Sequence, residues 1–478
     1  MDCVKCEKDM TKVDDGKSYD LIVIGAGPGG YEAAYEGSKE YGMKVALIER
    51  DSLGGTCLNR GCIPTKTMLH TAVLCKEVKN KGEFFGIKGG ESLSIDMSKL
   101  WEYKGKVVTQ LQSGIKSLMK AGKIDVYNGT GTIIGTGQVS VSQFDEESNE
   151  TVTTIIGKNI LIATGSVPSV PPIPGADNAG VMTSDDILDN QEPIESLIII
   201  GGGVIGCEIG YLYNAMGTKV TIIEAMDRLL STMDKELGQS LKMQFKKEGI
   251  EVLTKASVKE LSKAESGLIC TLEDKEIEAE KVLIATGRKA DITGLIGPDS
   301  LPEIRNLQLD RGKIAVDENF QTSVKGIYAI GDVIGGIQLA HVATAEGRCA
   351  VAAMNGRERP VDLSLIPSCI YTEPEIATVG LTNEEAMAKC IEAATQKYSM
   401  GANGKSTVEM AERGFIKVIY EKDTDKILGA AMLCQRATDM ISQFTSAIET
   451  GLTLKEMSKI VFPHPTFSEG IGEAVKKR

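Results

Sequence analysis

The sequence predicts an α/β chain with two doubly wound units, each carrying a β-meander insertion. Three observations predict it. An apolar run, Leu21 to Ile24, opens onto Gly25, Gly27 and Gly30 in G-x-G-x-x-G spacing, with helical sequence to about Tyr41 and a second apolar run from Lys44 to Glu49. The same order of parts returns as Ser196 to Ile200, Gly201, Gly203 and Gly206, a helix, and Lys219 to Glu224, offset by 176 residues between the first glycines. Each copy later reaches an apolar strand ending in Ala-Thr-Gly, at 163–165 and again at 285–287.

Taken in order, these parts read as Rossmann-like dinucleotide-binding domains. Gly25 allows the tight turn after the strand, Gly27 lets a pyrophosphate approach the backbone, and Gly30 lets helix and strand pack closely, with the helix N-terminus facing the anion. Glu49 closes the second strand, where it is placed to bond a ribose. Gly201, Gly203, Gly206 and Glu224 repeat these roles. Were a nicotinamide dinucleotide bound at the second unit, an acid at Glu224 would bond the 2′-hydroxyl of NAD and repel the 2′-phosphate of NADP. That repulsion at ~4 Å is about 4 kcal/mol at an effective dielectric of 20, cut by solvent to roughly 1 to 3, so NAD is favoured by roughly tenfold to a hundredfold. Segments 124–162 and 250–284 alternate apolar and polar residues, as β-meanders packed on each parallel sheet would. The first copy is about 54 residues longer than the second, and its extra segment begins after Glu49.

That segment holds Cys57 and Cys62. Residues five apart in a regular helix are separated by roughly 8 to 9 Å at Cα, whereas a disulfide needs about 7 Å or less. The spacing leaves two readings: two free buried cysteines, or a bridge across an irregular turn, for which Gly54, Gly55, Gly61 and Pro64 supply the backbone. Two dinucleotide units in one chain imply electron traffic between their ligands, and a cysteine pair beside the first points to thiol/disulfide redox chemistry.

Composition narrows the alternatives. A chain of 478 residues is too long for one core, so two to four domains are expected. The net charge of −13 comes without a dense Lys/Arg stripe, which argues against nucleic acid and anionic membrane as partners. No apolar run approaches the ~18 residues that span a bilayer, and the first residues have neither a basic start nor an apolar stretch, so a cytoplasmic protein is expected. Eleven scattered cysteines in a reducing compartment fit one regenerable pair better than five structural bridges. Cys3 and Cys6 are spaced like half a zinc site without a second pair nearby, and no metal centre is expected.

Seven markers stand in a fixed order: the Gly25 fingerprint, the Cys57/Cys62 box, Ala163-Thr164-Gly165, the Gly201 fingerprint, Ala285 to Arg288, Gly326 to Asp332, and His464 to Glu469. From about Tyr19 to the C-terminus the chain resembles the flavin-dependent pyridine nucleotide-disulfide oxidoreductases of class I, and is most similar to members that oxidise dihydrolipoyl groups. The resemblance implies an N-terminal extension at 1–18, the first part of an FAD-binding domain at 19–160, an NAD-binding domain at 161–287, the second FAD or central part at 288–356, and an α+β dimerisation domain at 357–478. It places FAD on Gly25, Gly27, Pro28, Gly30, Glu49, Arg50, Gly55, Thr56, Lys66, Gly131, Thr164, Gly165, Ser166, Gly331, Asp332, Leu339, Ala340 and His341. It places NAD on Gly201, Gly203, Val204, Ile205, Gly206, Glu208, Glu224, Val258 and Gly287.

The same resemblance implies a redox-active Cys57–Cys62 disulfide, with Cys57 exchanging with a dithiol substrate and Cys62 facing the flavin. Lys66 and Glu208 are expected to meet near the flavin's reactive edge. His464, oriented by Glu469, is expected to act as base on the thiols across a homodimer interface. The implied partners are a second copy of the chain and a lipoyl-bearing protein of a 2-oxoacid dehydrogenase, acetoin dehydrogenase or glycine cleavage complex. Rival readings are another NAD(P)H-dependent disulfide or mercuric reductase, or a non-catalytic scaffold. Glu224 argues against NADPH, the C-terminus lacks a cysteine pair, and Cys57, Cys62 and His464 are all present. Two positions depart from the family pattern: Arg60, where a small apolar residue is usual, and Phe462-Pro463 before His464.

Overall fold

The computed structural model describes residues 11–145, 147–411 and 414–477; Cys3 and Cys6 lie outside the described residues. The first unit runs β1 (Thr11–Ile24), α1 (Pro28–Tyr41), β2 (Val45–Glu49), α2 (Gly55–Arg60), α3 (Cys62–Lys81), α4 (Met97–Ala121), β3 (Asp125–Asn128), β4 (Thr130–Gly135), β5 (Gln138–Phe144) and β6 (Glu150–Ile162). Its strands lie in the order β3-β2-β1-β6-β5-β4. Leu21 to Ile24 pair in parallel with Val45 to Ile48, and both runs are buried, as parallel strands covered on both faces require.

Three features differ from the sequence expectation. β1 starts at Thr11, and its first residues pair in parallel with the start of β6, Thr11 opposite Thr151. Residues 11–18, expected as an extension, are thus largely part of the sheet; pairing runs through backbone groups, and a polar sequence gives no apolar pattern to reveal it. Residues 125–128 form a parallel strand on β2, so the meander begins only at Thr130. That meander extends the sheet rather than lying on it: β6 is 13 residues long, pairs antiparallel with β5 through its first half, and continues past position 160 to Ile162 in the parallel sheet.

The chain leaves through β7 (Ser166–Pro168) and builds the second unit from β8 (Val181–Met182), α5 (Ser184–Ile187), β9 (Ser196–Ile200), α6 (Val204–Ala215), β10 (Lys219–Glu224), α7 (Lys235–Lys247), β11 (Glu251–Thr254), β12 (Glu260–Ala264), β13 (Gly267–Thr271), β14 (Glu276–Ala279) and β15 (Lys281–Ile284). The sheet β11-β10-β9-β15-β8 is parallel throughout. Here the meander, β12-β13-β14, is a separate antiparallel sheet whose Leu261, Leu268 and Cys270 share a core with Ile198, Ile200 and Val282. The return strand β16 (Arg288–Ala290) pairs antiparallel with β7.

After α8 (Pro302–Arg305), β17 (Leu309–Asp310) and β18 (Lys313–Ile314), the chain rejoins the first sheet as β19 (Ile327–Ala329), parallel to β6. It then enters α9 (Ala340–Met354). This helix crosses α1 closely enough that a Cβ on Gly347 would lie 2.9 Å from the Gly29 carbonyl oxygen.

The C-terminal part comprises β20 (Ser368–Ile370), β21 (Glu375–Gly380), α10 (Asn383–Ala388), β22 (Ala393–Ser399), α11 (Gly404–Val408), β23 (Phe415–Glu421), β24 (Ile427–Cys434), α12 (Ala437–Glu449), α13 (Leu454–Met457) and α14 (Glu469–Ala474). Its sheet, β20-β21-β24-β23-β22, is antiparallel, and α12 buries Met440, Ile441 and Phe444 in the core of this part. Lys417 on β23 and Asp234 at the start of α7 form a buried ion pair at 2.6 Å, joining this part to the second unit. No helix among the described residues is long and apolar enough to cross a membrane.

Candidate active site

Two glycine turns face one cavity of about 1400 Å³, larger than a drug-sized ligand needs. The turns are built alike. Gly25 has φ 102° and Gly201 φ 115°, and a Cβ on either would approach a strand carbonyl oxygen, Ala163 at 2.3 Å or Ala285 at 2.4 Å. A Cβ on Gly30 would lie 1.9 Å from the Gly25 oxygen, and one on Gly206 2.0 Å from that of Gly201. At Gly27 and Gly203, by contrast, nothing lies within 4 Å of the missing Cβ, so each helix N-terminus opens onto free space. That arrangement suits a pyrophosphate approaching exposed backbone N–H groups.

The two strand-end acids also repeat each other. Glu49 accepts from Ala26 N at 2.7 Å and Asp51 N at 2.9 Å; Glu224 accepts from Gly202 N at 2.6 Å and Met226 N at 2.7 Å. Each acid therefore braces the glycine turn beside it while still lining the cavity. Burial pushes the Glu49 carboxyl above its ordinary range, opposed by the Ala26 N–H and the Arg50 charge.

Between the turns lies the cysteine segment. Cys57 sits in α2, Gly61 breaks the helix at φ −139° and ψ −111°, and Cys62 starts α3 with Pro64 in its first turn. The irregular turn anticipated from the glycines is there. The two cysteines are not bridged in the structure and lie close enough for each to shift the other's acidity. The interaction with Cys62 and burial push the Cys57 thiol up, while the interaction with Cys57, aided by the Lys66 charge against the cost of burial, brings Cys62 down. Cys62 faces the open cavity, although protein surrounds it.

One helical turn on, the Lys66 ammonium donates to Glu208 Oε2 at 2.6 Å. Burial pushes Lys66 down, but the Glu208 carboxylate outweighs burial and holds its pKa above the ordinary value. Glu208, buried on α6, spends its other oxygen on the Tyr371 N–H at 2.9 Å. The thiolate absorbance of the reduced protein, referenced to Cys62→Ser, should therefore rise with a midpoint below that of a free thiol: protonated below the midpoint, thiolate above. Lys66→Met should move that midpoint upward, and an unmoved midpoint would exclude the lysine from this role.

Every nucleotide-contact residue expected from the sequence lines the cavity except Gly206, which is buried where helix meets strand. His464 and Glu469 do not line it. His464 is 77% exposed, with Nδ1 2.9 Å from Glu469 Oε1. The Thr466 N–H and His464 hold the Glu469 carboxyl below its usual range, so Nδ1 is the donor and Nε2 is left for another partner.

Four residues in or just behind the cavity wall, Asp291, Arg288, Glu346 and Tyr371, were not assigned to the site from the sequence. Asp291 is buried and binds Arg50, so the Arg50 guanidinium is held by protein. Ser166 donates to Asp332 Oδ2 at 2.5 Å and accepts from Arg288 Nε at 2.8 Å. Glu346, pushed up to about 7 by burial, accepts from Gly331 N at 2.7 Å. Tyr371 is the fourth. Only Arg288 carried a signal, its place after Ala-Thr-Gly; the others come together through tertiary packing. Arg60, the departure inside the cysteine box, lines the same cavity and pairs with Asp51.

A family model described as pyridine nucleotide-disulphide oxidoreductase matches residues 19–347, and that family's dimerisation domain matches residues 366–475. The chain belongs to this family. As a pyridine nucleotide-disulphide oxidoreductase it is 41% identical over 470 residues to dihydrolipoyl dehydrogenase of Bacillus subtilis (strain 168), covering 95% of this chain and 97% of that one. It is 39% identical to dihydrolipoyl dehydrogenase of Chlamydia pneumoniae, covering 95% of each. Among solved structures it is similar to the HOCl-induced flavoprotein disulfide reductase RclA from Escherichia coli, at 27% identity and TM-score 0.84 over 96% of this chain and 99% of that one. A likeness to LpdA from Mycobacterium tuberculosis, TM-score 0.85 at 23% identity over 98% of this chain and 99% of that one, concerns the fold. Both glycine turns and the Cys57/Cys62 segment lie within the residues that match the family model, and residues 366–475 match its dimerisation domain.

Proposed function

We infer that this chain oxidises protein-bound dihydrolipoyl groups to lipoyl groups and delivers the electrons to NAD⁺, with FAD as its resident cofactor. One observation carries the reading: the Cys57–Cys62 pair, with Cys62 poised as a thiolate beside Lys66, opens on the cavity that both glycine turns share. The names of the similar bacterial proteins support the lipoyl substrate.

The residues fit two dinucleotides. The open cradle at Gly27, with Pro28, Gly30, Glu49, Thr164 and Asp332, would hold FAD; that at Gly203, with Val204, Ile205, Glu224, Val258 and Gly287, would hold NAD. When bound, the flavin takes an electron pair from the dithiol and gives it as hydride to the nicotinamide. The protein's own part is sulfur and proton chemistry. Starting from the bridged pair, a substrate thiolate bonds to the Cys57 sulfur, the Cys57–Cys62 bond breaks, and Cys62 leaves as the thiolate that Lys66 favours. The second substrate thiolate then displaces Cys57, closing the lipoyl ring and leaving the protein pair reduced. Protons released from the substrate pass to Nε2 of His464, held in its tautomer by Glu469 and supplied by a second copy of the chain, since within one chain His464 lies outside the cavity. The lipoyl group arrives on another protein, of a 2-oxoacid dehydrogenase, acetoin dehydrogenase or glycine cleavage complex, in the cytoplasm.

Assays with reduced lipoamide plus NAD⁺ or NADP⁺, and with oxidised glutathione plus NADPH, test the reading. Lipoamide oxidation with NAD⁺ should lead, by roughly tenfold to a hundredfold over NADP⁺; faster glutathione reduction with NADPH would overturn it. Glu224→Ala should shrink the NAD preference in kcat/KM by about tenfold or more.

A further inference from the structure

The Lys66–Glu208 pair joins α3 of the first unit to α6 of the second, and a third part of the chain closes over it. Tyr371 follows β20 of the C-terminal sheet and lines the cavity. Its backbone N–H donates to Glu208 Oε1 at 2.9 Å, while the Lys66 ammonium lies 4.6 Å from the centre of its ring. Glu208 is thus held on both oxygens. Lys66 is held on two sides, by a carboxylate and by an aromatic face.

Resting on the proposed role of Cys62 and Lys66, we propose that Tyr371 is a positioning residue for the redox dithiol: its ring fixes the Lys66 ammonium where it favours the Cys62 thiolate. A lysine side chain has several rotatable bonds, and this one opens on a wide cavity with 29% of its side chain exposed. A single carboxylate contact leaves the ammonium free to pivot about that oxygen toward the open space. An aromatic face within about 6 Å attracts a cation through the negative potential above the ring and removes that freedom. The backbone bond to Glu208 fixes the other end of the pair, so one residue sets both charges. Because Tyr371 belongs to the part of the chain that matches the dimerisation domain, the assembly of that part is coupled to the acidity of a thiol in the first unit.

The test is the pH midpoint of Cys62 thiolate formation in the reduced holoprotein, read as thiolate absorbance against Cys62→Ser. Tyr371→Leu should raise the midpoint by about half a pH unit, the scale of one exposed-to-buried cation–π contact. Tyr371→Phe keeps the ring and should restore the wild-type midpoint. In a Lys66→Met background, Tyr371→Leu should add nothing, because the ring then has no ammonium to hold. Tyr371→Met, closer in volume, replaces Tyr371→Leu if the latter does not fold. A midpoint unchanged by both truncations, a Phe variant that shifts as far as Leu, or an equal shift in the Lys66→Met background overturns the proposal. If Lys66→Met itself moves nothing, the reading of the Lys66–Cys62 contact has failed; if it moves the midpoint and Tyr371→Leu does not, only the tyrosine's role has.

Discussion

Cys62→Ser should keep the yellow absorbance near 450 nm yet lose lipoamide-dependent turnover by more than about 10⁴-fold, the scale on which removing a covalent participant acts. The reason lies in where the sulfur stands. Cys62 begins α3 immediately after the break at Gly61, faces the cavity, and is the one of the pair whose thiol is brought down. A serine hydroxyl fits the same space and leaves the glycine cradles untouched, so cofactor retention should be unaffected. It cannot form a bond to Cys57 or leave as a stable anion at neutral pH. NADH should still bleach the bound flavin, because that half of the reaction needs no sulfur. Retained turnover with lipoamide would reject the assignment of Cys62, while loss of the yellow colour would move the residue from chemistry to folding.

The second large effect is expected at a residue outside the cavity of its own chain. His464→Gln should lower kcat by at least about a hundredfold, from the usual range of general acid–base catalysis. Glutamine can still hydrogen-bond to Glu469 but offers no basic nitrogen, so the fold around α14 should survive. The loss should be confined to reactions of thiols, with NADH-to-dye transfer nearly unchanged. Diluting the protein until the chains separate should abolish lipoamide turnover as well, since the proposed mechanism draws the imidazole from a second copy. A loss below about threefold, or a fully active monomer, would count against the role.

Much of this molecule was legible because its chemistry sits in local motifs. The fingerprints at Gly25 and Gly201 are a strand, a turn and a helix in sequence, and a Cβ added at Gly25, Gly30, Gly201 or Gly206 would lie within 2.4 Å of a carbonyl oxygen, while Gly27 and Gly203 face open space. His464 and Glu469 are five residues apart and meet. Lys66 and Glu208 are 142 apart, and no pattern inside either helix announces their contact; it was accessible only through resemblance to a family. Asp291, Glu346 and Tyr371 carried no local signal because their partners come from other elements: Arg50 on the loop after β2, Gly331 beyond β19, and Glu208 on α6. The backward extension of β1 escaped for a related reason, because a polar segment can pair through its backbone without leaving a trace in its side chains. The meander of the first unit was read correctly as antiparallel but misplaced, since nothing in a strand's composition says that its two halves will have different neighbours.

The ribbon of β7 and β16 has an architectural consequence. The chain departs from the first unit and comes back to it along two adjacent, three-residue strands, so everything between them is a detour with a single doorway. Excising residues 169 to 287 and joining the two sides by a short turn would leave the strands of the first unit's sheet and their connections unbroken. The detour is nonetheless tied back by packing: Met68, Leu69 and Trp101 of α3 and α4 share one apolar cluster with Leu197, Tyr211 and Leu212, so its removal would strip the covering from those helices.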